Sequence, residues 1–221
     1  MLFRSARSVL QEAQHAIDGV RRVARGEAGQ VTLATPPSLM LDVLPKALLA
    51  LKAQAPGVTV RLRELATSRI LDALDAGTVD LGLVRGSQFP RGLEPLTTLR
   101  EPLVALLPRG HRLATTKRFA LSMLAAEPFV FFRRAVGPAL YEEILSYCRQ
   151  VGFEPRIVQE AAQWSSVLGL VGAGVGVSLG PGSVASLLKD VVVCRRLHGL
   201  TTEVHLLQSR RPGNPAAAHV A

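Results

Sequence analysis

The stretch 31–45, VTLATPPSLMLDVLP, constrains this chain more than any other: an alternating apolar strand runs into a Pro-Pro-Ser turn and straight out into an apolar helix. Val31, Leu33 and Thr35 fall on one strand face at period two, and Ser38 stands where a helix N-cap hydroxyl would. A strand that delivers its carboxyl end to a helix N-terminus makes a small anion site, because unpaired N–H groups and the positive end of the helix dipole converge there. Everything downstream repeats that unit, which makes the expected fold class α/β.

In the helix that follows, Leu41, Leu44, Leu48 and Leu51 recur at three and four, and Pro45, lacking an N–H, is expected to break or kink it. The strand VTVRLREL puts Val58, Val60 and Leu62 on one face. Thr67 and Ser68 are capping candidates for a helix carrying Ile70, Leu71 and Leu74, with Gly77 as its C′ residue. VDLGLV is too uniformly apolar for an edge and reads as a buried parallel strand ending at Arg85. In an open α/β sheet, ligands gather beyond the carboxyl ends of the strands, which is where Ser38, Thr67 and Arg85 all stand. Taken singly, they read as two caps and a surface ion pair. Together, two hydroxyls and one guanidinium suit a carboxylate, which arginine grips through parallel hydrogen bonds.

After LVALLPRGHRLA, a strand and a polar turn, a second set begins. Helix LSMLAAEP precedes strand FVFF, Gly137-Pro138 opens helix ALYEEILSYCRQVGF, and strand RIVQE leads through helix SSVLGLVGAG to strand VGVSLG. A short helix, SVASLL, then precedes two strand segments, VVVCRRL and TEVHLLQ. The expectation is two Rossmann-like subdomains, 30–100 with 195–211 and 101–194, joined by a hinge near 99–104 and 195–197 with a ligand cleft between them. Residues 212–221, polar and proline-bearing, read as a flexible tail.

Residues 1–29 carry a different pattern. Leu2, Val9, Ala16 and Val23 step by sevens, with Ala6, Ala13 and Val20 between them, the seam of a linker helix that dimerises. RGEAGQ follows as a glycine-punctuated exit.

Several functions have little support. No apolar run is long enough to span a bilayer, and the charged N-terminus lacks a secretion signal, so the expected location is cytoplasmic, away from membranes. Cys148 and Cys194 lie far apart and read as inert thiols, and the five histidines show no ligand spacing, so neither metal nor cofactor is expected. GVSLG fits the nucleophile-elbow pattern, but Ser178 falls inside a strand rather than at a strand-to-helix turn. GAGVG closes a helix and opens a strand, the reverse of a dinucleotide loop. Trp164, near a helix start, reads first as a core aromatic, although it is placed to stack on a ligand too. The net charge of +9 is spread over RRVAR, RGHR, FFRR, CRRL and SRR in separate segments, a solvated basic surface rather than a nucleic-acid reader.

The heptad helix ending in RGEAG, the unit VTLATPPSLMLDVLPKAL, and the segments LDALDAGTVDLGLVR, EPLVALLPRGHRLA and LVGAGVGVSLGP together resemble a LysR-type transcriptional regulator over nearly the whole chain. The resemblance implies a linker helix followed by a two-subdomain effector-binding domain of the periplasmic-binding-protein-like type II fold. It implies a homodimer or homotetramer, no enzymatic activity, and a small anionic effector such as a carboxylate or aromatic acid. DNA binding would belong to a winged helix-turn-helix domain that precedes the linker and is missing from this sequence. In the branch responding to aromatic acids and diacids, the effector contacts match Ser38, Thr67 and Arg85. An apolar wall near Leu44 and the helix start with Pro138, Leu140 and Tyr141 would face them. The alternative is a solute-binding protein for a small anion, which would need export.

Overall fold

Strands that are apolar on both faces need cover on both, and that requirement shapes the first half of the molecule. The computed structural model describes residues 18, 21–86, 89–90, 92–93, 95–208 and 213–220. Strands β1 (Gly29–Thr35), β2 (Val58–Glu64) and β3 (Leu81–Arg85) are parallel, with β1 in the middle. Helix α1 (Val43–Gln54) packs Leu44, Leu48 and Leu51 on the sheet face that carries Val31, Leu33, Leu81 and Leu206. Helix α2 (Thr67–Asp75) packs Ile70, Ala73 and Leu74 on the other face, against Ala34, Val84 and Leu207. Period-two alternation thus feeds two cores from the same strands.

Two long strands, β4 (Pro95–Pro108) and β8 (Val192–Gln208), run antiparallel to each other and serve both halves. The end of β8 pairs with β3, and the end of β4 pairs with β7 (Ser178–Pro181). The second half adds β5 (Pro128–Phe132) and β6 (Arg156–Ala161), a parallel pair. Val177, just before β7, joins it to β5: its C=O accepts from the Val130 N–H and its N–H donates to Pro128, both at 2.8 Å. The first half therefore reads β2-β1-β3-β8-β4 and the second β6-β5-β7-β4-β8, the same order with the long strands exchanged. Where they cross, the register breaks: Pro102 faces Thr201 but Val104 faces Arg196, so residues 197–200 bulge opposite Leu103, with Gly199 at φ 79°. Helices α3 (Pro138–Gln150) and α4 (Trp164–Gly172) contribute to one core with Phe129, Phe131 and Leu106.

Helices α2, α3 and α4 end alike, on glycines with φ between 66° and 88° (Gly77, Gly152 and Gly174). In each, the glycine N–H returns to the carbonyl of C2 and the next N–H to that of C3, as in Thr78 to Ala73 at 2.9 Å, so the left-handed cap expected at Gly77 occurs three times.

Other expectations need correction. Pro45 does not break α1, because it occupies the third helical position, where the N–H has no intrahelical partner to lose. A separate one-turn 3-10 helix, Pro37–Leu41, precedes α1, and LSMLAAEP shortens to another, Leu121–Leu124. VVVCRRL and TEVHLLQ form one strand, β8. The tail is not loose over 213–220: Ala216 and Ala217 are buried in the first half's core, and the Asn214 amide donates to the Gln30 carbonyl at 2.5 Å. Small side chains make this fit, since Pro215 and Ala216 lie against Gly26 and Gly29. The heptad seam lies outside the described residues except for its last turn, residues 21–24, which is helical and exposed. Among the described residues, no helix is long and apolar enough to cross a membrane.

Gly86, just past β3, has φ 87°, and a Cβ there would lie 2.4 Å from the Ala139 Cβ at the start of α3. The two halves meet there with no spare volume. Gly86→Ala should cost about 1–3 kcal/mol in urea unfolding, whereas Gly110→Ala, with nothing within 4 Å, should stay within about 0.5 kcal/mol.

Candidate functional site

Parallel strands leave their carboxyl ends at one edge, and helices begin there. From the first half, the turn Pro36-Pro37-Ser38, the first residue of α2 (Thr67) and the last of β3 (Arg85) face a cleft. From the second, Phe132, Gly137, Leu140, Gln163 and Trp164 close it. Three α-helix N-termini therefore point at one space, and none of their N-cap residues, Ala66, Gly137 and Gln163, supplies a side-chain cap. Uncapped N-termini leave positive potential for an anion. The free volume is about 40 Å³, close to the roughly 30 Å³ share of one water.

Arg85 is buried and already paired. Its Nη1 donates to Glu101, its Nη2 to Ser183 Oγ at 3.0 Å, and its Nε to Ser38 Oγ at 3.4 Å. The Ser183 N–H donates to the other Glu101 oxygen at 2.5 Å. Burial pulls the guanidinium pKa below its usual value and Glu101 opposes that, so the charge is kept. Three of five N–H groups are engaged, and the surface ion pair expected for Arg85 is instead an interior one joining β3, β4 and the turn after β7.

Beside this network, Glu143 of α3 accepts from Thr202 Oγ1 at 2.7 Å and the Tyr147 hydroxyl donates to the Thr201 carbonyl at 2.9 Å, fastening α3 to β8 at the crossing. Burial raises the Glu143 pKa, with the Thr202 hydrogen bond opposing.

Of the seven residues singled out in the sequence, the cleft contains Ser38, Thr67, Arg85 and Leu140. Neither hydroxyl is a cap: Pro36 and Ala66 hold those positions, with Ser38 one residue inside its turn and Thr67 first in α2. Leu44 does not line the cleft. It faces a separate apolar groove of about 280 Å³ between α1 and the sheet, because its helical position points it at Leu33 and Leu206. Tyr141 packs edge-on to Phe131 at 4.9 Å in the second half's core, and Pro138 opens α3, where its missing N–H costs nothing. Ser178 lies in β7, fully buried, its hydroxyl unpartnered among the described residues, which is no geometry for a nucleophile. Burial pushes the Cys148 thiol up to about 12.

Sequence reasoning missed Glu101, Ser183, Phe132 and Gln163. Glu101 carried a usable signal, an acid at the start of an apolar strand run, where burial demands a counter-ion. Trp164 packs against Gly180 and Phe132, 5.1 Å between ring centroids for the latter, as a core aromatic would, and it also lines the cleft.

The LysR substrate binding domain family matches residues 24–221. An uncharacterized HTH-type transcriptional regulator, YnfL of Escherichia coli (strain K12), is 35% identical over 179 residues, covering 80% of this chain. The chain spans 60% of that regulator's length. Among solved structures, CbnR, a LysR family transcriptional regulator, superposes with a TM-score of 0.87 at 26% identity, covering 98% of this chain and 76% of CbnR. The BenM effector binding domain, solved with its effector benzoate, shares the fold at TM-score 0.76 and 21% identity, covering 86% of this chain and 88% of that one. That fold is the periplasmic-binding-protein-like type II fold.

Removing one member of a buried ion pair leaves the other stranded. Glu101→Ala should cost about 3–5 kcal/mol in denaturant unfolding, while the double change Arg85→Met with Glu101→Leu should recover most of it.

Proposed function

The chain belongs to the LysR substrate-binding domain family, and from that premise we propose that it senses a small carboxylate, aromatic acids included, in the cleft between its halves. The observation that carries this reading is the convergence of three uncapped helix N-termini and Arg85 on one cleft walled by Phe132, Leu140 and Trp164. A carboxylate would face the N-termini, Ser38, Thr67 and the remaining Arg85 N–H groups, with its ring against the aromatic wall. Glu101 already neutralises Arg85, so the helix ends supply much of the attraction. The benzoate held by the BenM domain supports this chemistry. Leu44, Pro138 and Tyr141 drop out of the contact set.

About 40 Å³ is too small for an aromatic ring, so entry requires the halves to part. The register break at 102–104 and the bulge at 197–200 are where the strands would bend, with 30–100 plus 195–211 moving against 101–194. An effector with different affinity for the open and closed forms shifts their populations. In the parent regulator, the 1–29 linker would pair in a dimer or tetramer and pass the shift to DNA-binding helices in the cytoplasm. The transcriptional regulators among its relatives support sensing over delivery to a transporter.

Thermal unfolding against a panel of small carboxylates, benzoate included, tests the reading. A cleft ligand should add about 2.7 kcal/mol of stability at one hundred times its Kd, and Thr67→Val or Gln163→Ala should weaken it about tenfold. Stabilisation equal in wild type and both variants would contradict the assigned cleft.

A further inference from the structure

Two basic segments that look scattered in sequence, TKRF at 116–119 and RRLH at 195–198, fold against each other. Lys117, Arg118, Phe119, Arg195, Arg196 and His198 line a cavity of about 360 Å³ with no acid among them. Several exposed arginines elsewhere are matched: Arg112 meets Glu127 at 2.6 Å, Arg134 meets Glu142 at 2.8 Å and Arg149 meets Glu154 at 3.1 Å. Among the described residues, none of the four lysine and arginine side chains in this cavity has an ion pair.

The cavity is also held in shape. The half-buried Arg195 donates to the Leu113, Ala114 and Thr116 carbonyls, and its Cζ lies 5.1 Å from the centre of the Phe119 ring. That clamps the loop before Phe119 onto β8 and sets Lys117 and Arg118 beside Arg196 and His198 before anything binds, which lowers the ordering cost of a ligand. Four positive charges in one hollow are poorly matched by a single carboxylate. A di- or triphosphate group carries enough charge and offers tetrahedral oxygens to arginine forks.

We propose that this cavity is a second ligand site, taking a free polyphosphate-bearing anion. Its basic lining is confined to two short segments, 117–119 and 195–198, which favours a small molecule over a nucleic-acid backbone, since that would track an extended basic stripe. Arg196 pairs with Val104 at the crossing, and His198 belongs to the 197–200 bulge. An anion bridging His198 to Lys117 and Arg118 would hold the bulge against the second half and so restrain the strands that join the halves, a second input independent of the cleft.

Calorimetric titration of the full chain at low ionic strength, with inorganic triphosphate, pyrophosphate and orthophosphate as probes, tests this. Triphosphate should bind at a single site at least about tenfold tighter than orthophosphate, a difference of about 1.4 kcal/mol. The double variant Lys117→Gln with Arg196→Gln should lose at least that factor, and Arg118→Gln serves if the double variant does not fold. Arg156→Gln, on exposed β6, should bind like wild type. The proposal is overturned if triphosphate shows no saturable binding or binds the cavity variants equally well. It is overturned too if duplex DNA binds in a variant-sensitive way and triphosphate does not displace it.

Discussion

The antiparallel pairing of β4 with β8 makes one molecule of two α/β halves. Each strand gives one end to each sheet, so the halves cannot separate without breaking a ladder, yet the ladder is interrupted between Pro102 and Val104. The ladder is paired on either side of the break, and a bulge of four residues, 197–200, is where the proposed hinge would bend. The buried ion pair is placed with respect to the same point. Glu101 lies on β4 immediately before the break, Arg85 ends β3 in the first half, and Ser183 follows β7 of the second. The proposed movement of the halves would therefore work directly on the geometry of a desolvated pair, for which small displacements are costly.

The cleft follows from the shared-strand plan. Three uncapped helix starts would be poor design at an ordinary surface, where a serine or aspartate cap is worth about 1 kcal/mol. Here they face one another across an interior space, and the arginine among them is balanced by its own carboxylate. The cleft thus has an arginine balanced by its own carboxylate and helix N-termini rich in N–H donors, an arrangement that would suit the small acid proposed above better than a highly charged anion. The cavity at Lys117 and Arg196 has the opposite character, unbalanced formal charge with one aromatic ring, so the two spaces would select different chemistry.

Much of the plan was legible in the sequence because it rests on local patterns. The uniformly apolar VDLGLV announced a doubly covered strand, Gly77 the end of the helix before it, and Ser38, Thr67 and Arg85 the strand-end edge on which the cleft lies. What stayed hidden depended on partners distant in the chain. Glu101 pairs with Arg85 and Ser183 from two other strand ends, Leu44 faces the sheet through its helical phase, and residues 213–220 are fixed by packing on Gly26 and Gly29. The joining of VVVCRRL and TEVHLLQ into one strand was invisible because His198-Gly199 looks like a turn until β4 pairs on both sides of it.

The chain's single tryptophan, Trp164, lines the cleft against Phe132 and offers the most direct reading of the central claim. Its emission should be followed while benzoate is titrated into the protein, with heat of binding recorded in parallel. If a carboxylate enters between the halves, emission changes saturably with the same midpoint as the heat. Saturable heat with no change at Trp164 would put the ligand elsewhere and contradict the cleft as the sensing site.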